Sequence, residues 1–212
     1  MRLNIYLLTR YNTNMNIGLF FGSFNPVHNG HLIIANHIAM QGEMDEVWFV
    51  VSPQNPFKKP GSLLNENHRL HLIQLAIEGE KKLRASNIEF KLPRPSYTID
   101  TLIYLKEKYP AHSFSIIIGS DGFQNIEKWK NADVILKNYP IIIYTRPGFE
   151  ITPPFSASVN VVDAPLLEIS STHIRYLIRS GKSIRYLVPD MVKEEIEKNL
   201  YYHSALENPA QQ

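Results

Sequence analysis

The 212-residue chain predicts an α/β fold, a parallel sheet with helices on both faces, from three observations. Short, continuous and mostly β-branched runs recur along it. Segments with apolar residues at three and four spacing fall between most of those runs, and no internal repeat or low-complexity tract interrupts the alternation. Strands that read as unbroken apolar runs are covered on both sides, which is the pattern of a parallel sheet whose crossovers are helices. In a Rossmann-like sheet of this kind ligands sit above the carboxyl ends of the strands.

Taken in order, strands are expected at residues 17–21, 47–51, 88–90, 115–118, 141–144 and 159–162. Helices are expected at 32–40, 66–77, 98–108 and 132–137, with a further one opening near Ser171 and ending at Gly181. The longest irregular stretches are 52–64, with three prolines, and 148–158, with Pro153-Pro154. Long loops in compact domains are disproportionately functional, so the first is a candidate substrate loop, while the second reads equally as a surface linker.

The even spread of apolar segments suits one domain over 15–202, with residues 1–14 as an N-terminal extension of loose packing and 203–212 as a frayed tail. Lysine and arginine total 22 against 20 acidic residues, a balance that argues against bulk nucleic-acid binding while permitting a local basic site for a phosphorylated small molecule. The absence of cysteine excludes a disulfide framework and is compatible with a cytoplasmic protein. No segment approaches the roughly 18 apolar residues of a membrane span, and the apolar run at 5–8 is too short for a signal-peptide core. The expectation is therefore a soluble, unprocessed chain; composition leaves its oligomeric state open.

The most informative segment is Gly22-Ser23-Phe24-Asn25-Pro26-Val27-His28-Asn29-Gly30-His31, which joins the first strand to the first helix. Gly22 and Ser23 leave little bulk at the strand end, so backbone N–H groups can approach an anion at which the following helix aims its dipole. His28 and His31, three apart around a turn-favouring Asn29-Gly30 pair, can supply donors to phosphoryl oxygens. A polar loop with two incidental histidines is the plain alternative. Zinc ligation needs a third and fourth ligand at compatible spacing, and none declares itself nearby, so no metal site is expected.

Residues 22–31 resemble the H-x-G-H signature of the nucleotidyltransferase superfamily, usually close to G-G-x-F-D-P-x-H-x-G-H, with Ser23 in place of the second glycine and Asn25 in place of the aspartate. A second segment, Ile169-Ser170-Ser171-Thr172-His173-Ile174-Arg175, sets hydroxyls at a helix start with an arginine one turn inside. Helix capping would account for the hydroxyls, and a second anion site would account for the whole set. It matches completely the I-S-S-T-x-I-R signature of nicotinate and nicotinamide mononucleotide adenylyltransferases, about 140 residues after the first motif as that resemblance requires. The resemblance implies a nucleotidyltransferase-type fold with Gly22, Ser23 and Phe24 at the ATP site. His28 and His31 would hold the α- and β-phosphates, and Ser171, Thr172 and Arg175 the β- and γ-phosphates.

Three further segments extend it. Gly119-Ser120-Asp121 resembles the family's G-x-D, in which the small residue admits adenosine and Asp121 accepts from the ribose; a helix N-cap is the alternative. Arg146, in an R-P-G turn, could reach the triphosphate or be an ordinary surface arginine. Pro95-Ser96-Tyr97-Thr98-Ile99-Asp100-Thr101-Leu102 resembles P-S-Y-T-x-x-T-L, which lines the mononucleotide pocket and places Tyr97 and Thr98 at the pyridine ring. Trp129 lies in a polar stretch where amphipathicity does not demand it, and can stack on a cationic pyridinium beside Lys130; Trp48 reads as core. In the 52–59 loop, which resembles P-x-N-P-P-H-K with Phe57 in place of the histidine, Asn55 and Lys58 are candidate contacts to the mononucleotide, a solvated lysine pair being the competing account.

The implied reaction is adenylyl transfer from ATP, with Mg²⁺ arriving on the nucleotide, to nicotinate mononucleotide. The nucleophilic phosphate is already anionic, which accounts for the lack of an activated serine, cysteine or carboxylate pair. The alternatives are a nicotinamide mononucleotide or pantetheine phosphate substrate, a cytidylyltransferase, or a nucleotide-binding regulatory module without turnover.

Overall fold

Alternate residues of the strands divide the core into two faces. Ile17 and Leu19, Trp48 and Val50, and Phe114 and Ile116 pack together on one side, while Phe20, Val47, Phe49, Val51, Ile117 and Ile142 pack on the other. Both faces are therefore apolar, as expected of strands buried between helices. The protein is described from a computed structural model, which covers residues 14–54, 63–153, 157–165 and 167–203. Expectations for residues 1–13 and 204–212, and those for Asn55 and Lys58, lie outside the described residues.

Six strands, β1 (Asn16–Gly22), β2 (Glu46–Val51), β3 (Leu83–Ser86), β4 (Ser113–Gly119), β5 (Ile141–Tyr144) and β6 (Val159–Val162), form one sheet in the order β3-β2-β1-β4-β5-β6. Every pairing is parallel. The chain winds outward from β1 to β3, then returns to lay β4 on the other side of β1. The carboxyl ends of β1 and β4, at Gly22 and Gly119, thus flank the point where winding reverses and a crevice opens.

Among the described residues seven helices cover the sheet. Helices α1 (Asn29–Met40), α2 (Glu66–Ala76), α6 (Ser171–Arg179) and α7 (Asp190–Lys198) bury Ile34, Ile38, Leu72, Ile73, Ile174, Ile178, Val192 and Ile196 on one face. Helix α3 (Thr98–Lys108) covers the other with Ile99, Leu102 and Leu105. The short α4 (Ser120–Phe123) and α5 (Ala132–Asn138) close a smaller cluster under β5 with Phe123 and Leu136. Trp48 is core, 3% exposed, as its place in a strand implied.

The sequence reading departs from the structure at the third strand and at helices α4 and α7, the one-turn α4 being too short to leave a helical period. Residues 88–90 are not a strand; Ile88–Lys91 form a 3-10 turn, and the third strand is Leu83–Ser86. Among the described residues that edge strand pairs only with β2, so Leu-Arg-Ala-Ser needs no continuous apolar run, and the apolar signal belongs to the turn that follows. Helix α7 was not among the expected helices, although Val192 and Ile196 at i,i+4 behind Pro189-Asp190 carry a start signal.

Arg69 of α2 is fully buried and reaches the carboxyl edge of the sheet. Its Nε donates to the Leu64 carbonyl at 2.7 Å, its Nη1 to the carbonyls of Ser23 at 2.5 Å and Ser52 at 2.9 Å, and its Nη2 to that of Pro53 at 3.2 Å. One planar fork therefore ties the exits of β1 and β2. Replacing it by Met should leave these carbonyls without their donor and cost on the order of 3 kcal/mol, with Arg69→Lys recovering less than half because an ammonium cannot span the fork. Urea denaturation of the three proteins checks this, and an Arg69→Met protein as stable as the parent would refute it.

Candidate active site

A cavity of about 860 Å³ opens at the crevice between β1 and β4, near the upper end of the usual range for ligand pockets. Its floor is the strand ends. A Cβ on Gly22 would stand 2.8 Å from the Phe24 ring, and one on Gly119 would stand 2.9 Å from that of Tyr144, so both positions are glycine by close packing. Phe24 turns the chain with φ of +45°, a strained value for a non-glycine residue, and is held there by edge-on contacts with Phe20, Phe49 and His31. Asn25, at the position where the motif usually has aspartate, accepts from the Leu64 N–H at 3.1 Å and so keeps a structural bond that either side chain could make. Ser23 Oγ is buried at the cavity wall with no partner among the described residues, which leaves its hydroxyl for a ligand.

The two histidines differ. His31 lines the cavity, whereas His28 is 5% exposed and stacks under it with ring centroids 3.6 Å apart. The His28 backbone N–H donates to His31 Nδ1 at 3.3 Å. With Nδ1 accepting, the neutral ring carries its proton on Nε2, which makes that atom a donor. Burial, and secondarily the charge of Arg146, pushes the His28 imidazole down to about 4, so the ring beneath is neutral at physiological pH.

The second motif docks on the first. Ser171 Oγ donates to the Pro26 carbonyl at 2.9 Å, and Arg175 Nη1 donates to the Asn25 carbonyl at 2.7 Å while its Nη2 lies 3.4 Å from Thr172 Oγ1. Ser170 caps α6 by accepting from the His173 N–H. The N-termini of α1 and α6 are thereby fastened to one turn. Ser171 reaches the cavity wall, whereas Thr172 beside it and Arg175 one turn further along the helix are not among the lining residues.

On the β4 side, Asp121 Oδ1 faces Arg146 Nε at 3.4 Å, and Arg146 also donates to Tyr144 Oη at 3.3 Å. The Arg146 backbone N–H donates to Ser120 Oγ at 2.8 Å, so the β4 and β5 exits are joined and the arginine is built into the wall. At the α3 end, Tyr97, Thr98, Trp129 and Lys130 line the cavity together. Lys130 Nζ bridges to Asp100 at 2.9 Å and lies 4.8 Å from the Tyr97 ring centre, so its charge is partly answered inside the protein. Tyr97 occupies the N-cap of α3 without a side-chain cap hydrogen bond, and its carbonyl takes the N–H groups of Asp100 and Thr101. The first N–H groups of this helix, at Thr98 and Ile99, lack helical acceptors and face the end that attracts anions.

One cavity thus collects Gly22, Ser23, Phe24, His31, Gly119, Asp121, Arg146, Ser171, Tyr97, Thr98, Trp129 and Lys130. Ser52, Glu89, Ser96, Asn125, Lys128 and Tyr144 also line it and were not foreseen. Tyr144 ended an apolar strand and Ser96 sat beside the recognised Tyr97, so a signal existed for those two; Glu89 was hidden by reading its segment as a strand. Among the described residues no three His, Asp or Glu side chains converge as a metal cage. Nor is any helix there long and apolar enough to cross a membrane.

Paired anion-facing helix ends at the switch point of a parallel sheet define a nucleotidyltransferase-type site, and the cytidylyltransferase-like family model matches residues 19–177. The relatives narrow the class. A Cytophaga hutchinsonii protein named "Probable nicotinate-nucleotide adenylyltransferase" is 53% identical over 191 residues, covering 89% of this chain and 98% of its own length. A Flavobacterium johnsoniae protein of the same name is 49% identical over 191 residues, covering 89% and 99%. The chain belongs to the nicotinate-nucleotide adenylyltransferase family. The fold is shared with Plasmodium falciparum nicotinic acid mononucleotide adenylyltransferase complexed with NaAD, at a TM-score of 0.76 and 22% identity over 92% of this chain and 100% of that one.

The buried His28 makes stability pH-dependent in a calculable direction. Its folded pKa of about 4 lies below the ordinary 6.5, so its contribution is fully present above pH 6.5 and is lost as pH falls toward 4. The full loss is about 3 kcal/mol, of which about 2 kcal/mol should appear by pH 5. Urea denaturation of the parent and His28→Gln at about pH 7.5 and pH 5 measures it. Equal pH sensitivity in the two proteins would show that His28 is not the proton acceptor.

Proposed function

We propose that this chain transfers the adenylyl group of ATP to nicotinate mononucleotide, forming nicotinate adenine dinucleotide and releasing pyrophosphate. The observation that carries this reading is the joining of the α1 and α6 N-termini on the Asn25-Pro26 turn beside a cavity whose far wall is Tyr97, Thr98 and Trp129. A triphosphate fits the first end, and a pyridine ring fits the second.

In this reading a phosphate oxygen of the mononucleotide attacks the α-phosphorus of ATP. The new P–O bond forms as the bond to the bridging oxygen breaks, and that electron pair leaves on pyrophosphate. The nucleophile is an anion, so no proton must be removed, and catalysis consists of alignment and charge stabilisation. His31, with its proton on Nε2, donates to the α-phosphoryl oxygen as negative charge builds there. His28 supports it from below by stacking and through its backbone N–H. Arg175, Thr172 and Ser171 serve the terminal phosphates, and Arg146 and Asp121 serve the nucleoside side. Magnesium would come on the nucleotide, where phosphate and water oxygens would hold it and it would offset the charge of the phosphates.

The acid is preferred over the amide because the backbone N–H groups at the α3 N-terminus have no side-chain cap and can only donate, while the Thr98 hydroxyl can donate beside them. A carboxylate accepts from all of these groups, whereas an amide turns its NH₂ toward backbone N–H groups that cannot accept it. Stranding that group costs roughly 1 to 3 kcal/mol, equivalent to about a tenfold to hundredfold preference in kcat/KM at saturating magnesium–ATP. Pyrophosphate release with each mononucleotide reads it directly, and equal values or a preference for the amide would reject the assignment. His31→Ala should lower kcat by about 10²- to 10³-fold with a smaller change in KM, because its donor matters most in the transition state. A folded variant with near-parental turnover would remove His31 from that role.

A further inference from the structure

The cavity wall contains a carboxylate that adenylyl transfer does not use. Glu89 is 2% exposed, and among the described residues its polar partners are hydroxyls. Ser96 Oγ donates to Oε2 at 2.6 Å, Thr101 Oγ1 donates to Oε1 at 3.0 Å, and Ser52 hydrogen-bonds the same group. The 3-10 turn puts it there. In a strand Ile88 and Glu89 would face opposite ways, but in the turn Ile88–Lys91 both are buried, Ile88 in the core and Glu89 at the cavity.

The three hydroxyls come from three different places. Ser52 follows the end of β2, Ser96 directly precedes Tyr97 and Thr98, and Thr101 lies in the first turn of α3. When ionised the carboxylate only accepts, so Ser52 and Ser96 turn their protons to Glu89, and Thr101 does so at the shorter of its two contacts, its Oγ1 also lying 3.4 Å from the Tyr97 carbonyl. Burying such a group is costly, and an apolar side chain of similar size would fill the space at lower free energy. Burial correspondingly raises the Glu89 carboxyl above the ordinary range. What the carboxylate supplies that an apolar residue cannot is a fixed spacing between the β2 exit and the start of α3.

We propose that Glu89 is a positioning residue for the mononucleotide: it holds the Ser96-Tyr97-Thr98 segment against the β2 exit so that the Thr98 end of α3 meets the pyridine substituent. The inference rests on the proposed substrate and deepens it. Glu89 acts through the wall and not on the phosphates, so its removal should weaken mononucleotide binding selectively.

Steady-state kinetics of the full chain, varying each substrate in turn, together with calorimetric titration of nicotinate mononucleotide, test this in Glu89→Ala, Glu89→Gln and Ser96→Ala. For Glu89→Ala the KM and Kd for the mononucleotide should rise about tenfold or more while the KM for ATP changes less than about twofold. Glu89→Gln keeps the volume and one acceptor oxygen and should restore part of the loss; if the alanine variant does not fold, this variant and Ser96→Ala carry the test, each with a rise of about threefold or more. A parallel rise in both KM values, or an unchanged mononucleotide KM in folded variants, would overturn the positioning role while parental turnover of nicotinate mononucleotide left the proposed function standing. Absence of that parental turnover would overturn the substrate reading itself.

Discussion

The buried guanidinium of Arg69 is the constraint on which the site depends. Four carbonyl oxygens, from the exits of β1 and β2 and from Leu64 two residues before α2, converge on one rigid fork. Ser23 belongs to the turn that presents His31, and Ser52 belongs to the wall shared with Glu89, so the two ends of the cavity are referred to the same group. Burial lowers the pKa of Arg69 from a value so far above neutrality that it stays a cation. A lysine could supply charge there, but not planar donors to four acceptors at once.

A second set of bonds converts this clamp into a closed frame. Asn25 accepts from the Leu64 N–H, Leu64 offers its carbonyl to Arg69, and the Asn25 carbonyl receives Arg175 from a helix 150 residues away in sequence. The turn after β1 is therefore gripped from α2 and α6 together. Groups whose partners are this rigid reorganise little when charge shifts in a reaction, which is the condition under which fixed donors stabilise a transition state.

Stability is given up locally where ligands must enter. Phe24 sits at positive φ, Ser23 keeps a buried hydroxyl with no partner among the described residues, His28 is held neutral against its ordinary protonation, and α3 starts without a side-chain cap. Each departs from what a purely structural sequence would choose, and all four lie at the cavity wall or directly beneath it. The remote core follows the ordinary rules, with two-sided strands and apolar helix faces.

The alternation of β-branched runs with helical periods determined the parallel sheet, because burial on both faces leaves an imprint on every strand residue. The ten residues from Gly22 to His31 and the seven from Ile169 to Arg175 likewise determined the nucleotide chemistry, since close backbone approach and helix-end donors demand particular residue types at particular spacing. Only the tertiary structure decided which members of those motifs meet the cavity. Two histidines three apart look equivalent in sequence, yet stacking places one at the surface and the other beneath it. Arg69 reads as a polar residue of an amphipathic helix until the fold surrounds it with carbonyls, and Glu89 as part of a strand until a 3-10 turn directs it inward. Their roles come from partners brought together across the sheet: a local pattern records how a segment buries its own surface, whereas a buried charge takes its meaning from groups distant in the chain.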